Sequence, residues 1–79
     1  MSATLAELRA GESGTITGFV SESTATQRLM QLGVLEGERD EVVRRAPAGD
    51  PNEIRILGYS LSLRGAEASL VTIDVTSTT

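Results

Sequence analysis

The chain has 79 residues, 39% hydrophobic and 23% charged, with a net charge of −4, which reads as one ordinary globular domain, 1–79. The acidic balance argues against a nucleic-acid partner, whose phosphates it would repel, and no polybasic cluster is present for anionic lipid. With no cysteine, histidine or lysine, the chain has no disulfide framework and no Ser-His-Asp or Cys-His nucleophile. It likewise lacks imidazole or thiolate metal ligands, a P-loop lysine and a Schiff base.

Thr4–Leu8 (TLAEL) opens the chain. Thr4 and Glu7 fit a capping box, and Leu5 and Leu8 share one face of a single helical turn. Gly11 and Gly14 bracket a turn around Glu12 and Ser13. A strand follows over Thr15–Val20, with Ile16 and Val20 expected on one face and Thr15, Thr17 and Phe19 on the other. Gly18 within it signals a bulge or a close backbone approach. Met1–Ala10 has neither the basic start nor the apolar run of a secretory signal. No stretch of about 18 apolar residues is present to span a membrane. The expected location is the cytoplasm, without direct membrane insertion.

The stretch Arg28–Gly37 (RLMQLGVLEG) organises the middle. A short helix over about 24–32 is expected, capped by Thr24 with Gln27 reaching back, and Ala25, Leu29 and Leu32 form its apolar stripe. Gly33 is placed for a left-handed stop, with Val34 against Leu29. Met30 lies off the stripe. A helix this short needs a sheet to lie on.

The sheet comes largely from the second half. Glu38–Ala46 reads as a strand, and Pro47–Pro51 (PAGDP) as a strong turn. Glu53–Leu57 alternates, with Ile54 and Ile56 inward, so the two strands form an antiparallel hairpin. Gly58 breaks the run; Tyr59, Leu61 and Leu63 then alternate with polar residues. Gly65–Ala68 is a short excursion, and Leu70–Val75 is the last strand, before a disordered tail at 76–79. About five short strands and one short helix make the chain mainly β, a small barrel or sandwich. Closure is attractive at this size because it removes exposed edges.

Two charge clusters are candidates for function. Glu36, Glu38, Asp40 and Glu41 read as a solvated acidic turn rather than a weak hard-cation site, since their spacing does not match a calcium loop. Asp40 and Glu41 also fall on opposite strand faces. Arg44, Arg45 and Arg55 lie on the strands around the proline turn, and Arg64 ends the next strand. In the simplest register Arg44 and Arg55 come near each other. These arginines either pair with Glu41, Glu53 or Glu67 on a solvated face, or form a basic patch for an acidic partner. Phe19 and Tyr59 are too few aromatics to line a proline-peptide groove.

RLMQLGVLEG, then RRAPAGDP, then GYSLSLRGAEASLVTIDV, at these spacings and after the opening TLAELRAGESGTITGF, resemble the FeoA family of small cytoplasmic proteins of bacterial ferrous-iron transport. The resemblance runs from about Thr4 to Val75. It implies an SH3-like β-barrel with one short helix. It also implies a protein that is not an enzyme; from the residues themselves no cofactor and no metal site is expected. The partner it implies is the FeoB-type membrane transporter, through that transporter's cytoplasmic GTP-binding region. The alternative is a detached regulatory module like the C-terminal SH3-like domain of iron- and manganese-dependent repressors, which binds a protein partner. Met30, Leu35, Arg44 and Arg45 are the candidate partner contacts. Asp40 and Asn52 depart from the family's pattern, which favours apolar residues there, and both are expected near solvent.

Overall fold

The computed structural model describes residues 2–45 and 51–76. The greater part of the proline turn and the tail beyond Thr76 lie outside them. In chain order the elements are β1 (Ser2–Thr4), a 3-10 turn (Leu5–Glu7), β2 (Ser13–Phe19), α1 (Thr24–Gln31), β3 (Arg39–Arg45), β4 (Asn52–Ile56), β5 (Tyr59–Leu63), α2 (Gly65–Ala68) and β6 (Val71–Thr76). The strands form one sheet of order β1-β6-β2-β3-β4-β5, antiparallel throughout. The mainly β architecture with one short helix is as expected, with two differences. The sixth strand is β1, three residues that pair with β6 from Ser2↔Asp74 to Thr4↔Thr72. It is too short to show a period, and its partner lies at the other end of the chain. Nor do hydrogen bonds close the sheet: among the described residues β1 and β5 are its edges.

Local chemistry explains the turns. Glu7 accepts a hydrogen bond from the Thr4 amide at 2.6 Å, and Leu5 and Leu8 are buried on the face so formed. Helix α1 starts one residue earlier than expected. Ser23, not Thr24, is its N-cap: the Thr26 amide donates to Ser23 Oγ at 3.3 Å, and the Ser23 amide donates to Thr26 Oγ1 at 2.8 Å. Thr26 satisfies its hydroxyl inside this box and is fully buried. The helix ends as its glycine requires. Gly33 has φ +101°, its amide donates to Met30 O at 3.1 Å, and the Val34 amide donates to Leu29 O at 3.0 Å. Leu29 and Val34 are both buried in the core.

Gly18 makes the expected bulge, with a register shift between Ile16 and Gly18 against β6. The extra residue reverses which face follows it. Ile16 is buried, Phe19 packs against the core, and Val20 is 60% exposed. Ile16 and Val20 therefore do not share a face.

The core gathers Leu5 and Leu8, Leu29 and Val34, and the inward residues of β2, β3, β4, β5 and β6. Among the described residues four polar ones are buried with them, Ser13, Thr26, Asp40 and Asn52. Asp40 is 1% exposed and Asn52 2% exposed, so both are buried rather than near solvent. Asp40 lies on a strand paired on both sides, opposite Gly14 of β2 and Ile56 of β4. The β3–β4 register also differs from the simplest hairpin, because it slips between Val42 and Arg44. Arg44 stands opposite Glu53, and Arg55 opposite Glu41, so Arg44 and Arg55 are not neighbours across the ladder.

Candidate interaction surfaces

Three surface regions follow from this fold. The first is apolar. The Gly18 bulge turns Val20 outward, and Met30, off the helix stripe, is 37% exposed beside it. With Phe19, Ser21, Glu22 and Thr26 they line an open depression of ≈ 390 Å³. Leu35, also exposed, projects from the turn between α1 and β3, where the Glu38 amide donates to Leu35 O at 3.1 Å and the Gly37 amide to Ile16 O at 2.7 Å.

The second is the β4–β5 hairpin tip. Leu57 and Gly58 both have positive φ, 54° and 82°, as a two-residue hairpin turn demands. Leu57 is 54% exposed, and Tyr59 is exposed on its ring while its hydroxyl donates to the Leu32 carbonyl at the end of α1. The tip thus lies over Gly33, where an added Cβ would sit 2.7 Å from the Tyr59 hydroxyl and 3.0 Å from Leu57 Cδ1. Val20, Leu57 and Tyr59 are surface residues that the sequence reading did not single out. The two-residue Leu57-Gly58 link between alternating runs was the available signal for the tip.

The third is the outer face of β3, β4 and β5. Its cross-strand rows run Arg44–Glu53–Ser62 and Glu41–Arg55–Ser60. Opposite charges directly across a ladder attract, though exposed pairs contribute little. Arg44 lines a small depression of ≈ 160 Å³ with Pro51, Glu53 and Ser62. Arg45 is used within the fold: its Nε donates to Leu8 O at 2.7 Å, and its Nη2 donates to the Ala6 carbonyl. It clips the end of β3 onto the 3-10 turn and satisfies two carbonyls there. Glu67 pairs with Arg28, at 3.4 Å.

The four proposed contacts therefore do not form one site. Met30 belongs to the groove with Phe19 and Val20, Leu35 to the next turn, and Arg44 to the charged face, with Arg45 anchored beneath it. The acidic residues do not converge either: among the described residues no three carboxylates are grouped to hold a metal ion. Asp40 stands out for a different reason. Neither carboxylate oxygen has a hydrogen-bond partner. Burial pushes its pKa from 3.8 up to about 6, while the nearby amides of Asp40 and Gly14, short of well-formed bonds, pull it part of the way back. The surfaces offer apolar contact and charge, which suits binding.

Residues 3–75 match the family model described as the FeoA domain. Among curated proteins, the chain is 30% identical over 73 residues to an Fe(2+) transport protein A/Fe(2+) transporter FeoB fusion protein of Porphyromonas gingivalis, covering 92% of this chain and 9% of the fusion. The chain thus spans under a tenth of that relative's length. Among solved structures, a FeoA-like protein from Clostridium acetobutylicum is similar at 33% identity and a TM-score of 0.90, covering 96% of this chain and 88% of that one. The zinc complex of Stenotrophomonas maltophilia FeoA, described as a prokaryotic SH3 domain protein, is similar at 28% identity and a TM-score of 0.80, covering 91% and 89%.

Proposed function

The chain belongs to the FeoA family, and from that membership we propose that it is a non-enzymatic accessory protein of ferrous-iron uptake that binds a FeoB-type transporter. The observation that carries this reading is the fusion protein, in which a counterpart of this chain is covalently joined to the transporter. A tether holds two modules at an effective concentration in the mM range for a short flexible linker, so even a weak contact is populated. Without such a tether the module meets the transporter by its own affinity alone, and its exposed apolar groups become important.

The reading places the protein in the cytoplasm as a single domain, 1–79, against the transporter's GTP-binding region. Among the described residues no helix is long and apolar enough to cross a membrane. Met30 and Leu35 supply apolar contact and Arg44 charge, with Arg45 holding the strand that presents Arg44. The regulatory-module alternative draws support from the fold alone.

The test is retention of this chain on the immobilised cytoplasmic region of the transporter, with and without a GTP analogue, at about 150 mM salt, where long-range charge effects are screened. Retention that falls on Met30→Asp with Leu35→Asp, or on Arg44→Glu, supports the reading and locates the face. No retention on that region or on the full transporter contradicts it.

A further inference from the structure

Among the described residues β5 pairs with β4 on one side and has no strand on the other. Its hairpin closes through Leu57-Gly58, so Ile56↔Tyr59 is the hydrogen-bonded pair at the base and the pairs alternate from there. Tyr59, Leu61 and Leu63 bond to β4. Ser60 and Ser62 turn their N–H and C=O groups outward, and no backbone group among the described residues bonds to them from that side. Edges are ordinarily blunted by lysine, proline, an inward charge or a bulge. β5 (YSLSL) contains none of these, and its register is unbroken over the whole strand.

The same strand borders a cavity lined by arginines. A depression of ≈ 510 Å³ is lined by Arg28, Pro51, Ser62, Arg64 and Glu67, and it shares Pro51 and Ser62 with the smaller one beside Arg44. Arg55 stands opposite Ser60. Arg28 and Arg64 thus flank Ser62 in the cavity, with Glu67 paired to Arg28, while Arg44 and Arg55 lie on the β3–β4 side of the strand opposite Glu53 and Glu41, in a chain that is acidic as a whole.

We propose that the β5 edge takes up an extended acidic segment of a partner protein as an added strand, with a carboxylate beside Ser62 entering the cavity between Arg28 and Arg64. Main-chain bonds to Ser60 and Ser62 supply affinity, and the cavity selects the side chain. A second copy fits less well, because it would bring an identical set of arginines to the same face. This surface is separate from the Phe19–Met30 groove, so the inference does not depend on what occupies that groove.

The probe is a short blocked peptide alternating valine and glutamate, titrated into the isotope-labelled full chain. Controls are the same peptide with lysine for glutamate, and one N-methylated on its bonding edge. The Ser60 and Ser62 amide resonances should shift and their hydrogen exchange should slow, while the N-methylated peptide fails to bind. The lysine peptide should bind at least about tenfold more weakly, and Arg28→Glu with Arg64→Glu should cost the glutamate peptide about tenfold, the size expected for charge contacts at a partly exposed site. Ser62→Pro removes an outward N–H from an edge position that tolerates proline and should abolish binding; the arginine variant keeps the test intact if that substitution disturbs folding. Equal binding of the glutamate and lysine peptides, shifts confined to other strands, or no binding at mM peptide overturns the proposal. A concentration-dependent dimer that Ser62→Pro dissolves would assign the edge to a second copy, and overturns it too.

Discussion

Replacing Asp40 with valine should stabilise this protein at neutral pH and leave it much less changed in acid. The wild-type carboxyl is 1% exposed and has no hydrogen-bond partner for either oxygen. Burial raises its pKa from 3.8 to about 6 in the folded chain. The folded state therefore prefers the protonated acid. Below about pH 4 the group is protonated folded and unfolded, and its ionisation costs nothing. Between about pH 4 and 6 the unfolded chain releases the proton and the folded chain keeps it, so stability falls as pH rises. Above about pH 6 the cost is complete. A shift of about two units at about 1.4 kcal/mol each makes it at most about 3 kcal/mol. Urea unfolding of both proteins at about pH 4, 5 and 7.5 measures it. Their difference isolates Asp40, since every other carboxylate is common to both. Valine should gain ground on wild type by up to about 3 kcal/mol between pH 4 and 7.5. Asp40→Asn, which removes the charge but leaves a buried polar group without partners, should show the same pH trend from a lower starting point. A gap that does not change with pH, or one that narrows as pH rises, would refute the assignment of a costly buried carboxylate.

Three further substitutions test the scaffold. Gly33→Ala should lower stability by about 1–2 kcal/mol or more, because the residue has φ +101° and its Cβ would meet Tyr59 and Leu57; thermal melting checks it. Leu57→Asn should raise stability by up to about 1 kcal/mol, since asparagine tolerates the left-handed turn position better than leucine, and the same melt measures it. Arg45→Met keeps the apolar stem but leaves the Ala6 and Leu8 carbonyls without their donors; a loss of about 2 kcal/mol in urea is expected, with faster amide exchange in the 3-10 turn.

What could be read from the residues was mostly local. The glycine stop at Gly33 and the capping box at Thr4 are decided by neighbours within a few positions, and both stand as expected. The N-terminus of α1 was nearly legible. Ser23 and Thr24 are both good caps, and burial of Thr26 in the core decides between them. At Gly18 the bulge was visible, but Val20 still read as an inward residue because simple alternation ignores the inserted position. Tertiary neighbours set the rest. Asp40 carries a charge that reads as solvent-facing, yet β2 and β4 enclose its strand. Arg45 is committed to carbonyls more than thirty positions away, a contact with no trace in the spacing. Met30, Leu35, Arg44 and Arg45 stand out by residue type alone, and the fold distributes them over separate surfaces.

The central claim, that this chain serves ferrous-iron uptake through a FeoB-type transporter, is tested most directly by Fe(II) uptake in cells lacking it. Uptake should fall on its loss, return with the wild-type chain, and fail to return with a folded Met30→Asp, Leu35→Asp variant that no longer binds the transporter. Unchanged uptake without the chain, with the transporter present and working, would contradict the claim.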